Sequence, residues 1–521
     1  MDNRFRGRKI FSQLTSKTNN SIRKIAKRLG ISKSSVGRHK ASINKRNQHP
    51  ESHFWETDEG YAWLRLLYFG AILFFGVHCC IGAEKLSAFF KLIRLERHIG
   101  ISPSTIKGIC SKTCDLLEEY QKQQEQKFQL ENPVKIVGGI DETYFNNMIL
   151  VLMDLSSGFI FAEETSDDKS YETWFDMATI VSSRFNIEFK FFVSDRARQL
   201  IKLAVQGFSC PSIPDLFHAS NDLVKLFGLN LNRKKARVQK KIAKEIAKLI
   251  ALKELSQDIS TQTIIVKKLR AQELVIEEGI STYRTILYKL SVMMHPFDIV
   301  DSSPVNSAMI EISLNLLFKE TQELKREHEI SSKIDYLNKF QKQIREMASL
   351  MDTWWLRVDE SLNDDQLNRD LKNWLIQYLL PTLYWHRQAA KTKNPDLKEA
   401  YQYAWEKTEA ILNTHPATQN HMKNEEWISW AKQMVSNFQR TSSAVEGRNG
   451  WLTQMHHNGR GLTPKRLKAQ TVIHNYYLKR CDGTTAAERL LKQEFSNPLI
   501  WVIERMGDLP LPRISVRRCE M

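Results

Sequence analysis

Residues 136–145 read Ile-Val-Gly-Gly-Ile-Asp-Glu-Thr-Tyr-Phe, an apolar run that ends at Asp141. This pattern predicts a buried central strand that carries one carboxylate to the end of a sheet. Two further short apolar runs follow at 148–155 and 158–163, and a Ser-Ser-Gly turn separates them. A helical pattern over 171–185 then precedes a second apolar strand, which ends in the carboxylate of Asp195.

Three strands, a helix and a fourth strand follow one another in the order of an RNase H-like core. Neighbouring first and fourth strands would bring Asp141 and Asp195 together at one end of the sheet. Paired carboxylates suit a hard divalent cation such as Mg²⁺, which prefers charged oxygen ligands. The sequence therefore predicts a cation site at this end of the sheet.

The positive charge of the chain is concentrated at its N-terminus. The 521 residues carry a formal net charge of +17. Residues 1–50 contain 14 Lys and Arg against one acid, Asp2, a difference of +13. Such a basic block favours a polyanionic partner, most simply DNA phosphates, and a disordered basic arm is the alternative.

Residues 21–40 have the spacing of a helix-turn-helix. Gly30 would supply the turn and Ser32 would cap the second helix. The residues of the second helix predicted to enter a DNA major groove are Lys33, Ser34, Ser35 and Arg38. His39 departs from the pattern because it takes a position that is usually apolar. A helical hairpin that only packs is the alternative.

Residues 66–83 contain no Lys, Arg, Asp or Glu, so a transmembrane segment has to be considered. We favour a buried helix that links two domains, because a single span would put the basic N-terminal region and the acidic sheet on opposite sides of a membrane. Residues 95–106 repeat the turn pattern around Gly100 and are a candidate second helix-turn-helix.

The seven cysteines are an odd number in a long chain and do not resemble a disulfide framework. Metal binding by Cys79, Cys80, Cys110 and Cys114 has no ordered His partner to support it, so we expect buried thiols. No apolar signal segment is present at the N-terminus. A reducing, cytoplasmic location is therefore predicted.

Helical periodicity dominates between residues 219 and 439, after a short strand-like piece at 212–218. This change predicts an all-α insertion within the α/β core. The basic helix expected at 233–248 could line a DNA channel or form a solvated face, and the sequence leaves both open. The Trp residues near 354 and 374 are expected to fill the core of the insertion.

The motif at 440–449, Arg-Thr-Ser-Ser-Ala-Val-Glu-Gly-Arg-Asn, follows the insertion. Ser442 and Ser443 are N-cap candidates for a helix that runs to about residue 456. Glu446 would lie in the first turns and share a face with Asn449. Its position after two strand-end aspartates makes it the candidate third acid of the site.

Together these motifs resemble the DDE-type transposases of prokaryotic insertion sequences, especially Mutator-like relatives with a helical insertion before the last acid. The matching segments are Gly-Ile-Asp-Glu-Thr at 139–143, Val-Ser-Asp-Arg at 193–196, Asp-Leu-Phe-His at 215–218 and Ser-Ser-Ala-Val-Glu-Gly-Arg-Asn at 442–449. The tail segments at 460–464, 471–475 and 482–489 are also similar to those of such transposases. The resemblance covers roughly residues 20–513.

The resemblance implies metal-dependent DNA cleavage and strand transfer. Two Mg²⁺ ions, with Mn²⁺ as a substitute, would be held by Asp141, Asp195 and Glu446. His218 would contact a proton or a phosphate, with a structural role as the alternative.

The same resemblance implies that Arg448 and Asn449 contact the scissile strand. The expected partner is double-stranded DNA, both at the element ends and at the target. A homo-oligomer would assemble on this DNA in the bacterial nucleoid, without a membrane.

The predicted fold is an α/β RNase H-like core that is interrupted by a large all-α insertion and preceded by an all-α helix-turn-helix region. The predicted domains are a basic DNA-binding domain (1–50), a helical linker with the candidate second helix-turn-helix (51–132), the first part of the core (133–218), the insertion (219–439), and the final catalytic helix with a helical tail (440–521).

Several alternatives remain at this stage. Glu142 competes with Asp141 as the first acid, although adjacent strand residues point to opposite faces if the strand is regular. A DNA-binding regulator would use the helix-turn-helix but leaves the three acids unexplained. An inactive, domesticated descendant would share the fold, and an RNase H-like nuclease acting on RNA is a further alternative.

Overall fold

The computed structural model describes residues 3–16, 20–46, 52–55, 57–126, 133–145, 147–363, 367–418, 425–459, 461–480 and 482–511. This part of the chain is mostly helical and contains one five-stranded mixed sheet. A mixed α/β fold with all-α regions is therefore confirmed.

The strands are β1 (Val134–Tyr144), β2 (Met148–Asp154), β3 (Ile160–Ser166), β4 (Ile187–Ser194) and β5 (Ser212–Pro214). The helices before the sheet are α1 (Asn3–Thr15), α2 (Ile22–Leu29), α3 (Lys33–Arg46), α4 (Ser52–Trp55), α5 (Asp58–Ala71), α6 (Ala83–Leu92) and α7 (Pro103–Gln126). Those between and after the strands are α8 (Tyr171–Phe185), α9 (Arg198–Lys202), α10 (Leu216–Leu223), α11 (Leu229–Glu254), α12 (Ser260–Met293), α13 (Ser307–Glu327), α14 (Tyr336–Ser361), α15 (Arg369–Trp374), α16 (Leu380–Lys391), α17 (Pro395–Thr414), α18 (Glu425–Asn437), α19 (Ser443–Gly459), α20 (Pro464–Tyr476), α21 (Ala486–Leu491) and α22 (Pro498–Arg505).

Helices α1, α2 and α3 pack around a small core of their own. Its buried members are Ile10, Ile25, Ala26, Val36 and Ile43. Gly30 ends α2 with a φ of 63°, a left-handed conformation that glycine adopts without strain. The Ser32 hydroxyl accepts a hydrogen bond from the Ser35 N–H at 3.1 Å, so it caps α3. The two helices and the turn lie where the spacing placed them.

Helix α1, which the sequence analysis did not predict, explains the polar residue at position 39. His39 is half-buried, and a Cβ atom added to Gly7 of α1 would lie 3.6 Å from its Nδ1 atom. The side chain at the position expected to be apolar therefore lies beside a glycine of a third helix, α1.

The apolar run after residue 57 forms α5 and a π-helical continuation at Ile72–His78. Asp58–His78 is the one helix in the described residues that is long and apolar enough to cross a membrane, with a mean hydropathy of 1.5. Of its most apolar window, 56% is buried inside the protein, as in the core helix of a globular fold. Tyr68 and Val77 pack in the same apolar cluster as one face of the sheet.

The prediction of a second helix-turn-helix is wrong in its local structure. A short 3₁₀ turn, Leu95–Arg97, stands where the first helix of that unit was expected. Arg94 has a φ of 60°, which separates the turn from α6. The Gly100 N–H donates to the Pro510 carbonyl at 2.7 Å, so the chain near the C-terminus covers the turn.

The sheet has the order β3-β2-β1-β4-β5. Strands β1, β2 and β3 are antiparallel neighbours, whereas β4 is parallel to both β1 and β5. Alternate residues of β1 belong to two apolar clusters: Val137 lies in one and Ile140 in the other. Helical layers therefore cover both faces of the sheet.

Two adjacent glycines let neighbouring side chains come close to β1. A Cβ atom at Gly138 would lie 2.4 Å from the Phe192 ring, and one at Gly139 would lie 2.4 Å from the Leu155 side chain and 2.9 Å from that of Val445. Because any larger side chain would clash, Gly139 allows α19 to pack directly on the central strand, and Gly138 leaves room for an aromatic ring of β4.

The helices from α10 to α18 pack on the Val137 face of the sheet. Their core is continuous with that face, and Trp354 and Trp374 are fully buried in it, as expected. Apart from an isolated bridge between Phe297 and Pro304, the described residues between 219 and 439 contain no strand pairing. The predicted border at 218/219 falls inside α10.

Candidate active site

Asp141 lies on β1 where the parallel part of the sheet ends. The pairing of β1 with β4 stops at Gly139 and Val193, whereas its pairing with β2 continues to the end of the strand. The sequence suggested that Asp141 is the last residue of its strand. It is not, because pairing with β2 continues β1 for three further residues. Strand alternation puts its side chain on the Val137 face.

Asp195 follows the last residue of β4, at the neighbouring strand end. Val193 packs in the same cluster as Val137, so alternation predicts the same face for Asp195. The Ala197 N–H donates to its Oδ1 atom at 2.9 Å, and Arg196 between them has a φ of 63°. This tight turn fixes the carboxyl directly after the strand.

Glu446 and His218 meet between two helices. Glu446 lies in the first turn of α19, and its Oε1 atom is 3.1 Å from His218 Nε2. This contact lacks hydrogen-bond geometry, and within the described residues the buried Nε2 atom has no hydrogen-bond partner. His218 lies in α10 rather than in the strand-like piece predicted, because β5 already ends at Pro214.

Asp215 joins α10 to the chain before α19. Its Oδ1 atom accepts a hydrogen bond from the Phe217 N–H at 2.7 Å and so caps α10. Its Oδ2 atom accepts a hydrogen bond from the Ser442 hydroxyl. Ser442 was predicted to cap α19, but its side chain instead holds that helix against the end of β5.

Asn449 joins α19 to the first acid. Its Nδ2 donates to Asp141 Oδ2 at 2.8 Å, and the residue is buried. Its Oδ1 atom is buried without a hydrogen-bond partner in the described residues. Asn449 therefore positions the Asp141 carboxylate, and it does not present its amide to a DNA strand in this arrangement.

The Asp141 carboxyl has a strongly raised pKa. Burial, followed by the negative charges of Glu446 and Glu142, raises its pKa from 3.8 to about 7, and the charge of Asp195 adds to the rise. A hydrogen bond from the backbone of Glu142 acts in the opposite direction. The three predicted acids thus come from distant parts of the chain into electrostatic range of one another.

Glu142 lies on the opposite face from Asp141. Its Oε1 atom accepts a hydrogen bond from Lys169, and this bond, together with the charges of Glu142 and Asp195, raises the lysine pKa. Lys169 precedes α8, which packs in the Ile140 cluster. Glu142 and Lys169 therefore influence the electrostatics of the site from the other face of the strand.

The described residues contain no preformed metal-binding group, in the sense of three or more His, Cys, Asp or Glu side chains at ligand spacing. The donor types nevertheless fit a hard cation, because carboxylate oxygens suit Mg²⁺ and the site has excess negative charge. The orphaned Oδ1 of Asn449 and Nε2 of His218 also indicate a missing polar partner. Shared ligation would require the carboxylates to approach one another further.

Arg448 is removed from the candidate DNA contacts. It is 4% exposed and forms a bidentate ion pair with Glu163, with Nε–Oε1 and Nη2–Oε2 distances of 2.7 and 2.6 Å. The Thr471 hydroxyl donates to the same carboxylate at 2.7 Å. This buried network ties α19 and α20 to β3.

The candidate residues for reading DNA lie in the N-terminal unit, whose core is separate from that of the sheet. Lys33, Ser34 and Arg38 are exposed on α3, and Ser35 is half-buried. The basic stretch of α11 is partly neutralised, since Lys235 pairs with Glu277 at 2.8 Å. Its two interpretations stay open.

Two residues that shape the site, Glu163 and Lys169, were not predicted from the sequence, and Ser442 was predicted in a different role. Glu163 ends a predicted strand, but nothing in its local pattern distinguishes a buried ion-pair partner from an exposed acid. Lys169 and Ser442 act through partners far along the chain. The cysteines in the described residues are free, as expected, and burial raises the pKa of Cys114 to about 12.

A family of unknown function (DUF6399) matches residues 375–518. The matched segment covers little more than a quarter of the chain and contains Glu446 and Asn449, but neither Asp141 nor Asp195. No curated protein matches the chain.

Proposed function

We propose that this chain is a DDE-type DNA transposase, which cleaves DNA at the ends of an insertion sequence and joins those ends to a target. The observation that carries the proposal is the convergence of segments that are far apart in sequence. Asn449 contacts Asp141 at 2.8 Å, and His218 approaches Glu446 at 3.1 Å. Asp141 is also within electrostatic range of both Glu446 and Asp195.

The strand arrangement supports an RNase H-like core. Three antiparallel strands are followed by a helix and by two strands parallel to the first. The first two acids come from β1 and its parallel neighbour β4, and the third comes from a helix packed on β1. The helical segment between β5 and α19 then corresponds to the expected insertion.

Two divalent ions bound here would activate a water or a 3′-hydroxyl and stabilise the leaving oxygen. Asp141, Asp195 and Glu446 would hold these ions through their carboxylates. The amide of Asn449 orients the Asp141 carboxylate. His218 is placed to orient the Glu446 carboxylate or to exchange a proton with a reacting group, since its Nε2 atom has no hydrogen-bond partner among the described residues.

The N-terminal unit would bind the element ends. Its basic charge and the exposed side chains of α3 suit phosphates and major-groove edges. Assembly of two or more copies on paired ends would then position two active sites. The expected location is the bacterial cytoplasm, in association with the nucleoid.

The test is a nicking and joining assay with a duplex that carries the repeats bounding the gene. We expect cleavage in Mg²⁺ or Mn²⁺ and none in EDTA. The Asp195→Asn and Glu446→Gln variants should lose cleavage and retain DNA binding, because each change removes one negative charge from the metal site. Wild-type protein that binds these ends but never cleaves them would instead support a DNA-binding regulator or an inactive descendant.

A further inference from the structure

Two adjoining cavities form a groove that runs from the end of β1 towards α6 and α7. The smaller, of about 250 Å³, is lined by residues that include Phe145 and His456. The larger, of about 1040 Å³, is lined by the starts of α6 and α20 and by α7. Gly459, Thr463 and Arg466 line both cavities, so the two are direct neighbours.

The larger cavity has a basic lining. Its Lys, Arg, Asp and Glu side chains are Lys85, Lys107, Lys465, Arg466 and Glu84. The ion pair between Lys107 and Glu84 spans 3.2 Å, and the two side chains are 67% and 68% exposed, so water screens it and it opens readily. Lys465 also pairs with Asp115, which lies outside the lining, at 2.7 Å. With Asp115 included, four cations and two acids leave an excess of two positive charges.

The first turn of α6 adds backbone donors to this lining. Gly82, the N-cap residue, has no side chain that could accept a hydrogen bond from the first N–H groups of the helix. These N–H groups and the positive end of the helix dipole favour an anion in the cavity.

The smaller cavity has a polar group without a partner. Both ring nitrogens of His456 are buried and have no hydrogen-bond partner in the described residues. The ring stacks on Phe145, with centroids 4.8 Å apart and planes at 12°. The histidine is thus held in place with unused donor and acceptor capacity beside the groove.

The groove lies at the C-terminal end of α19, and Glu446 lies near the start of the same helix. Ten residues separate Glu446 from His456, which corresponds to roughly 15 Å along the helix. In B-form DNA, successive phosphates of one strand advance about 3.4 Å along the axis. Because the strand also winds around this axis, a strand with its scissile phosphate at the carboxylates would place a phosphate a few nucleotides away at the smaller cavity, and the next ones in the basic cavity.

We propose that this groove holds the sugar-phosphate backbone of the DNA strand that enters the candidate active site. Lys85, Lys107 and Arg466 contact its phosphates, and His456 donates a hydrogen bond at the entrance. The direction of the strand rests on the proposed function, whereas the polyanion site itself does not. B-form DNA is favoured over RNA because a recognition helix such as α3 fits the wide major groove of B-form DNA and not that of an A-form helix.

The first experiment reverses the charge of two exposed residues. Lys85→Glu with Lys107→Glu is compared with a matched control, Lys267→Glu with Lys319→Glu, on exposed positions of α12 and α13. DNA binding is measured by fluorescence anisotropy in EDTA at several salt concentrations. The groove variant should bind roughly tenfold or more weakly at 0.1 M salt, with a salt slope smaller by about 1.8. Equal losses in both variants would overturn the proposal.

The second experiment neutralises single phosphates by methylphosphonate substitution, scanned along the duplex. A few adjacent substitutions should weaken binding to the wild type severalfold and have no effect on the groove variant, because their partners are already absent. If these substitutions weakened DNA binding equally in the wild type and in the groove variant, the result would contradict the proposed groove. So would full competition by millimolar inorganic phosphate, which indicates a small-anion site, or the same lysine dependence with an RNA duplex.

Both measurements are made without divalent metal, so they do not depend on cleavage. A wild-type protein that never cleaves DNA would reject the proposed function and leave the binding result standing. A protein that cleaves DNA but binds equally well after the two lysine changes would reject the groove alone.

Discussion

At the residue scale, Asp141 is held in an environment that opposes its own ionisation. It is surrounded by carboxylates, and the amide of Asn449 is the side chain that donates to it, at 2.8 Å. Nearby, Lys169 is engaged by Glu142 on the other face of the strand. Such an arrangement costs folding free energy, and a bound cation would relieve it.

Asp141→Asn should therefore stabilise the protein at alkaline pH. Because the folded-state pKa is raised from 3.8 to about 7, the contribution of this group to stability is complete below pH 3.8 and is lost as the pH rises through 7. The variant escapes this loss, so we expect a gain of roughly 1–3 kcal/mol at pH 8 that shrinks towards pH 4. The measurement is urea unfolding without metal at both pH values. Asp359→Asn, at an exposed position of α14, is the control. A gain independent of pH would contradict this account.

Activity should distinguish the two adjacent acids. Asp141→Asn removes a ligand and should abolish Mg²⁺-dependent cleavage. Glu142→Gln should retain substantial activity, because its side chain contacts Lys169 on the opposite face of β1. Single-turnover cleavage rates give the comparison. An inactive Glu142→Gln with an active Asp141→Asn would mean that the site is built around Glu142 instead.

The acids were predictable from sequence and their neighbours were not. Asp141 and Asp195 each end an apolar run, and Glu446 follows a capping motif, so local pattern locates them. Arg448 lies two residues after Glu446, yet its side chain is buried. It pairs with Glu163 on β3, whose carboxylate also accepts a hydrogen bond from Thr471 on α20. That choice depends on contacts across the fold, which local pattern does not encode.

At the element scale, α19 is the piece that closes the site. It packs on β1 through Val445 at Gly139, hydrogen-bonds to Asp215 through Ser442, and pairs with β3 through Arg448. These anchors fix its orientation along its first two turns. Glu446 and Asn449 lie on the same turns and therefore have little freedom relative to the sheet.

Arg448→Met should destabilise the fold by about 3–5 kcal/mol, because it leaves the carboxylate of Glu163 buried without its charge partner. Adding Glu163→Gln removes that charge and should recover a large part of the loss. Denaturant unfolding of both variants measures this, with Arg345→Met on the exposed side of α14 as the control. A double variant no more stable than the single one would show that the loss arises from packing and not from the buried charge.

Several element boundaries departed from the sequence pattern for physical reasons. Strand β1 runs past Asp141 because antiparallel pairing with β2 outlasts the parallel pairing with β4. The strand-like piece at 212–218 becomes a helix after Pro214 because Asp215 caps it. Helix α1 has weak amphipathic character and was missed, although it completes the N-terminal core.

At the scale of the whole molecule, the N-terminal unit has a core separate from the two that enclose the sheet. The large helical segment, in contrast, shares its core with one sheet face. The first arrangement would suit the proposed DNA-binding module, and the second fixes the sheet face that carries Asp141.

Deleting residues 1–50 should abolish specific binding to the element ends at moderate salt. Each lost phosphate contact should lower the salt slope by about 0.9. The melting temperature of the remainder should change little, because the deleted core is separate. Electrophoretic mobility shifts with end and random duplexes measure the effect. Unchanged specific binding by the truncated protein would show that the ends are recognised elsewhere.

The central claim is that Asp141, Asp195 and Glu446 form one two-metal site in the DNA-bound protein. Its most direct test is anomalous diffraction from a crystal of the protein with DNA and Mn²⁺. The account predicts two peaks about 3.5–4 Å apart, with all three carboxylates as ligands. Carboxylates that stay beyond shared-metal distance in this complex, or Mn²⁺ bound elsewhere, would contradict it.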